Sequence, residues 1–178
     1  MNLIHTTSSH PTASFDPKRT KNIPWRFNKK ISGGGNFLDM GIHMIDMIDY
    51  LLGEIKTVKS INKNYLNYYN VDDTVSAQFE LKNGIIGNGL WCSVADKDED
   101  EFEIFGSKGL IKFSMNKNNK VLIKCGDYIK VKKIPFEKPF HKNMINYVIK
   151  KFLFLKKHKK HKVFEEGIKA SKVYLSCY

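Results

Sequence analysis

The chain is 178 residues long, 42% hydrophobic and 27% charged, with a net charge of +12 and a pI near 9.5. These figures exclude a disordered chain and fit one domain with a real core, and no apolar run approaches the roughly 20 residues that a membrane-spanning helix needs. The charge excess brings nucleic acid and anionic membrane surfaces into view, yet it gathers in Lys150–Lys162, which holds seven lysines and two histidines.

Few arginines accompany those lysines, and arginine is the residue that reads bases and forks onto phosphate. The run therefore reads as a solvated face or loop, with contact to a polyanion as the other reading. "MNLIHTTSSH" has neither the basic nor the apolar region of a secretory signal. Cys92, Cys125 and Cys177 are odd in number and widely spaced, with no CxxC pair and no zinc spacing. Reduced thiols in a cytoplasm are the expectation.

In chain order, "NLIHTT" predicts one short strand. The polar stretch that follows is broken at Pro11, Pro17 and Pro24, and its one large anchor is Trp25, with Arg26 beside it. A helix is predicted from Asn36, a residue suited to an N-cap, to Leu52, with Gly53 just beyond its end. Phe37, Met40, Met44, Met47 and Leu51 recur every three or four residues, with Leu38, Ile45 and Leu52 beside them. So wide an apolar surface predicts burial on more than one side.

The next half is β-rich. "IKTVKSI" reads as a strand, and "DDTVSAQFEL" and "GIIGNGLWCSVA" flank Asn83-Gly84, a two-residue hairpin signal. "DEFEIFG", "GLIKFSM", "VLIKCG" and "YIKVKKI" follow at short intervals, with turns at Ser107-Lys108, Asn116 to Asn119 and Gly126-Asp127. That pattern predicts an antiparallel meander, one sheet from Asp72 to Ile134, rather than alternating strands and helices. One face of it is expected to be apolar enough for self-association. Helical segments are predicted from about Pro139 to Leu155 and from about Val163 to Ser176.

Asp39, His43 and Asp46 stand at i, i+4 and i+7, on one stripe of the predicted helix. Burying such groups without purpose is costly, so the stripe is expected to face a cleft, near Trp25 or Arg26. A histidine takes a proton near neutral pH, and a carboxylate one turn away can hold its tautomer and stabilise the imidazolium. Dehydrogenation of an alcohol needs such a base. A hydrogen-bonded Asp–His pair that pins the helix to a loop explains the same residues. A metal site is a third reading, but no second helical motif supplies further ligands. Gly33, Gly34 and Gly35 fail the G-x-G-x-x-G pattern, because Leu38 stands where the third glycine belongs and no apolar strand precedes them. A weak contact with a charged group at the helix N-terminus and a close pass of two backbones are both open readings.

The order of these pieces resembles the signature of the Gfo/Idh/MocA oxidoreductases, relatives of glucose–fructose oxidoreductase and inositol dehydrogenase. Trp25, Arg26, Gly33, Gly34, Gly35, Asp39, Gly41, His43, Asp46 and Gly53 match it in order and spacing. "EIFGSKGLIKF" resembles the family's strand-turn-strand, and "FEEGIKASKVYLS" its closing helix. The resemblance implies an α+β fold: an open, mostly antiparallel β-sheet with helices packed on one face, as in the C-terminal domain of glyceraldehyde-3-phosphate dehydrogenase. Residues 1–178 would form one C-terminal domain for substrate binding and oligomerisation. Asp39 and His43 inherit catalytic positions, next to a nicotinamide ring and a lysine of the N-terminal domain. Arg26 and Trp25 inherit places beside the substrate, a sugar, cyclitol or related polyol.

The resemblance also implies NAD or NADP as cofactor of the full-length family members. This sequence carries neither the dinucleotide fingerprint nor a βαβ series, so no cofactor-binding residue is assigned. The chain alone is expected to bind no cofactor and to be inactive, with a Rossmann domain supplied upstream or in trans. Glu137-Lys138-Pro139 spells the family's catalytic tripeptide, but there it ends a Rossmann strand ahead of the glycine run. Here it follows the meander, so Lys138 reads as a surface residue at a helix start. A homo-oligomer through the sheet is expected, and neither nucleic acid nor a membrane. A non-catalytic remnant or assembly module that keeps the fold is the alternative, and a basic polyanion-binding protein a further one.

Overall fold

The structure is a computed structural model that describes residues 1–6, 23–115, 119–135, 139, 141–154, 172–173 and 176–177. Its strands are β1 (Asn2–Thr6), β2 (Ile55–Lys63), β3 (Thr74–Leu81), β4 (Ile86–Cys92), β5 (Glu99–Gly106), β6 (Gly109–Phe113), β7 (Lys120–Cys125) and β8 (Tyr128–Lys133). In β3 the apolar residues alternate with polar ones, so Val75, Ala77, Phe79 and Leu81 share one face and are buried. β4 repeats the pattern with Gly87, Gly89 and Trp91. Asn83 and Gly84 form the hairpin between them, and Gly84 takes φ +85°, a conformation that a side chain would strain.

The strands join in one sheet among the described residues, in the order β2-β3-β4-β1-β5-β6-β7-β8. A plain meander from Asp72 to Ile134 is therefore corrected. β1 lies between β4 and β5, parallel to the first and antiparallel to the second. Leu3 supplies the reason, since it stands between Gly89 and Phe102 in the register and is buried with the core. Thr6 fixes the other end. Its hydroxyl accepts from the Glu99 N–H at 2.9 Å and donates to the Lys97 carbonyl at 2.7 Å.

The helical part begins with a 3-10 turn, Trp25–Phe27, and a single turn of helix, α1 (Lys29–Ser32). The chain then winds as a π-helix through Phe37–Gly41 and continues without a break into α2 (Ile42–Leu52). The expected start and end are correct, but Asn36 makes no side-chain cap and the first turn is wider than an α-helical one. Burial is also narrower than expected. Phe37, Met44, Ile45 and Ile48 pack on the sheet, whereas Asp39, His43, Asp46, Tyr50 and Leu51 are exposed. The sheet covers one side of the helix, and among the described residues nothing buries the other.

Met44, Ile45 and Ile48 meet Phe79, Leu81, Trp91 and Phe102 in the core. Trp91 is its hub, 4.7 Å from the Phe37 ring and 6.2 Å from Phe79 between centroids. Its indole N–H donates to the Met44 sulfur at 3.1 Å, which satisfies the one polar atom of a buried ring. Val173 and Cys177 pack against the same core. Helix α3 (Lys142–Phe154) realises the segment predicted near Pro139 to Leu155. Most of the helix predicted from Val163 to Ser176, together with Lys138, lies outside the described residues.

Candidate active site

The site grows from the turn that precedes α2. Asn28 opens α1 by accepting from the Lys30 N–H at 3.1 Å. The neighbouring Lys29 N–H donates to the Asn70 side chain at 2.9 Å. Phe27 drops into a small second core with Tyr69 and Val71, its ring 5.0 Å from that of Tyr69. The same turn lifts Trp25 and Arg26 to the surface, where the indole is 59% exposed.

The glycine run then crosses the segment that leads into β3. Gly35 donates its N–H to the Asp72 carboxylate at 3.3 Å. A Cβ on Gly35 would overlap the Asp72 carbonyl oxygen. Of the two readings of these glycines, the close pass of two backbones is the one that holds at Gly35. Asp73 anchors the segment next to it. That carboxylate is 3% exposed and accepts from the N–H groups of Tyr65 and Leu66 at 2.8 and 3.0 Å, and from the Thr74 hydroxyl at 3.1 Å. Burial, and then the charges of Asp73 and Asp72, push the Tyr69 phenol far above its ordinary range. The clamping roles of Asp72 and Asp73 escaped sequence reasoning, which read the pair as the start of a strand. Two adjacent acids ahead of an alternating apolar run were the available signal.

These supports leave a cleft of about 300 Å³. It is lined by Trp25, Arg26, Phe27 and Ser32, by the glycine turn, and by Leu38, Asp39, Ile42 and His43. All four predicted site residues, Trp25, Arg26, Asp39 and His43, thus share one cavity, of a size that accepts a small ligand. Asp46 is exposed and does not line it. Asp39 turns toward Arg26, with 3.9 Å between carboxylate and guanidinium. No hydrogen bond joins Asp39 to His43 among the described residues, so the reading of a hydrogen-bonded pair that pins the helix to a loop gains no support there. The Arg26–Asp39 pair is loose and half-exposed, and contributes little to stability. Arg26 also lies 5.3 Å from the Trp25 ring centroid, so one cation ties an aromatic face to a carboxylate across the mouth of the cleft.

The cleft offers an aromatic face, a hydrogen-bonding cation, a carboxylate and an imidazole around a mixed polar and apolar floor. That set suits a small polyhydroxylated ligand. Among the described residues no group of three or more His, Cys, Asp or Glu side chains could hold a metal ion.

Comparison with known proteins agrees with the fold. The sequence pattern of the GFO/IDH/MocA C-terminal domain matches residues 3–112. Oxidoreductase P35 of Formosa agariphila is 31% identical over 140 residues, which cover 73% of this chain and 41% of that protein. A solved levoglucosan dehydrogenase in complex with NADH and levoglucosan superposes with a TM-score of 0.64 at 20% identity, over 99% of this chain and 49% of that one. An NAD binding oxidoreductase from Klebsiella pneumoniae superposes with a TM-score of 0.77 at 16% identity, over 99% and 55%. The chain thus spans about half the length of these proteins or less. It belongs to the GFO/IDH/MocA family of oxidoreductases, and the matched residues correspond to that family's C-terminal domain.

Proposed function

We propose that this chain provides the substrate side of a nicotinamide-dependent oxidoreductase acting on a sugar, cyclitol or related polyol. The observation that carries the reading is the meeting of Trp25, Arg26, Asp39 and His43 in one cleft. In this reading the sugar ring lies against the Trp25 face, and Arg26 and Asp39 hold its hydroxyls. His43 takes the proton of the hydroxyl whose carbon is oxidised, and solvent at the open mouth carries that proton away. Trp25 and Leu38 keep part of the ring dry, which strengthens the polar contacts. The hydride acceptor, NAD or NADP, belongs to a dinucleotide-binding domain, which the described residues do not provide. That domain would stand upstream or act in trans, and the chain alone would be inactive.

Self-association through the sheet is part of the proposal. Ile61, Ile86, Leu90 and Phe105 are exposed on the face turned away from α2, as at a covered interface. Three free cysteines accord with a cytoplasmic setting. The second reading, an assembly module without activity, draws on the same exposed face. One experiment separates the two. The chain is joined to the dinucleotide-binding domain of a related oxidoreductase and assayed for NAD(P)H formation over a panel of sugars and cyclitols. Turnover should appear, and His43→Ala should lower it by about 100- to 10,000-fold. Equal turnover in the variant would reject the site, and no turnover on any substrate would favour the assembly module.

A further inference from the structure

Gly41 closes the π-helical turn Phe37–Gly41, and its backbone gives no reason for a glycine there. Its φ and ψ are −66° and −32°, ordinary helical values, at which alanine is the better helix former. The reason is space. A Cβ on Gly41 would overlap the Phe37 ring. That ring is buried and lies 4.7 Å from the Trp91 ring, so it has little room to swing aside. The turn also decides where Asp39 points. A π turn takes up one residue more than an α turn. With Met44, Ile45 and Ile48 packed in the core, an α-helical path would rotate Phe37 by about 100° about the helix axis. Asp39, midway along the turn, would rotate by roughly half that.

We propose that Gly41 is a positioning residue for the ligand of the cleft. By leaving room for the Phe37 ring it keeps the π turn, and the turn sets the Asp39 carboxylate opposite the Arg26 guanidinium, 3.9 Å away. That separation is too long for a hydrogen bond and leaves both groups half-exposed. A ligand hydroxyl fits such a pair, since it donates to the carboxylate and accepts from the guanidinium. His43 lies beyond the turn, on α2, whose place the core fixes. The turn thus governs the grip on the ligand, and α2 governs the proton. The step from the pair to a hydroxyl rests on the polyol reading, whereas the link from Gly41 to Asp39 stands without it.

The test begins with crystal structures of the full chain and of its Gly41→Ala variant. In the variant the turn should become α-helical or the Phe37 ring should leave Trp91, and Asp39 and Arg26 should part beyond ion-pair reach. A π turn and an ion pair left intact by Gly41→Ala would overturn the proposal. Phe37→Leu, added to Gly41→Ala, makes room for the methyl group and should bring the pair back. The double variant also carries the test if the single one does not fold, and a double variant without the pair would overturn the proposal. Kinetics of the chain joined to the dinucleotide-binding domain of a related oxidoreductase, with D-glucose and myo-inositol as probes, read the consequence. Gly41→Ala should raise KM about tenfold or more and change kcat by less, and the double variant should reverse the rise. An unchanged KM, or a fall in kcat alone, would overturn the proposal. No turnover by the joined parent chain would reject the oxidoreductase reading, and the crystal structures would still decide the role of Gly41.

Discussion

The proposed chemistry rests on a few side chains whose neighbours decide what they can do. Asp39 and His43 were legible in the sequence because a spacing of four residues becomes a shared side of a helix. Their nearness to Trp25 and Arg26 was expected only in outline, since it depends on a reversal of the chain that Gly35 closes against Asp72, 37 residues away. Gly35→Ala would place a methyl group into the Asp72 carbonyl. It should cost about 1–3 kcal/mol of stability, measured by urea unfolding, and should loosen the cleft before the rest of the fold. A fully stable variant would mean that this crossing is not tight. A second prediction concerns alkali. Burial raises the Cys177 thiol from its ordinary 9.0 to about 11, and the Tyr69 phenol also lies well above its ordinary range. Both groups are therefore held neutral by the fold. The stabilisation is complete below their unfolded values and is lost as pH rises through the folded ones. Unfolding midpoints should be flat up to about pH 9 and fall between pH 9.0 and about 11. In the native chain exposed Cys125 should react with an alkylating agent well before Cys177. Equal rates would contradict the burial of Cys177.

At the scale of elements, periodicity carried most of the reading. The β3–β4 hairpin follows from alternation and from Asn83-Gly84, and α2 follows from its apolar spacing and Gly53. Two features were hidden because they depend on distant partners. The π-helical turn at Phe37–Gly41 sets Phe37 over Trp91 while Asp39 turns to the cleft, and Trp91 lies on a strand that local spacing does not relate to the helix. The place of β1 was hidden for the same reason, since its two neighbours come from far along the chain. Asp73 shows how one side chain governs an element. It gathers the segment before β3 by accepting two backbone N–H groups and a hydroxyl. Asp73→Ala would leave those part-buried donors without their acceptor, at about 1 kcal/mol for each amide. Hydrogen exchange should then quicken at Tyr65 and Leu66, while the amides of the β3–β4 hairpin keep their protection. Unchanged exchange at those two amides would show that water replaces the carboxylate.

At the scale of the molecule, an eight-stranded sheet carries α2 on one face, and among the described residues no helix covers the other. The cleft lies beside the side of α2 that no described residue buries. The antiparallel character of the sheet was legible because strands at short intervals leave little room for crossovers, whereas helices on one face were what the family resemblance implied, and the family match over residues 3–112 agrees with it. The strand order was not legible, since an inserted central strand leaves no local trace. The proposed division of labour places substrate and proton on this chain and the dinucleotide on another domain. The direct measurement is calorimetric titration of the chain with NADH and with NADPH, alone and after joining to a dinucleotide-binding domain. The account predicts no saturable heat at micromolar cofactor for the chain alone and clear binding once the domain is present. Micromolar binding of either cofactor by the chain alone would contradict it.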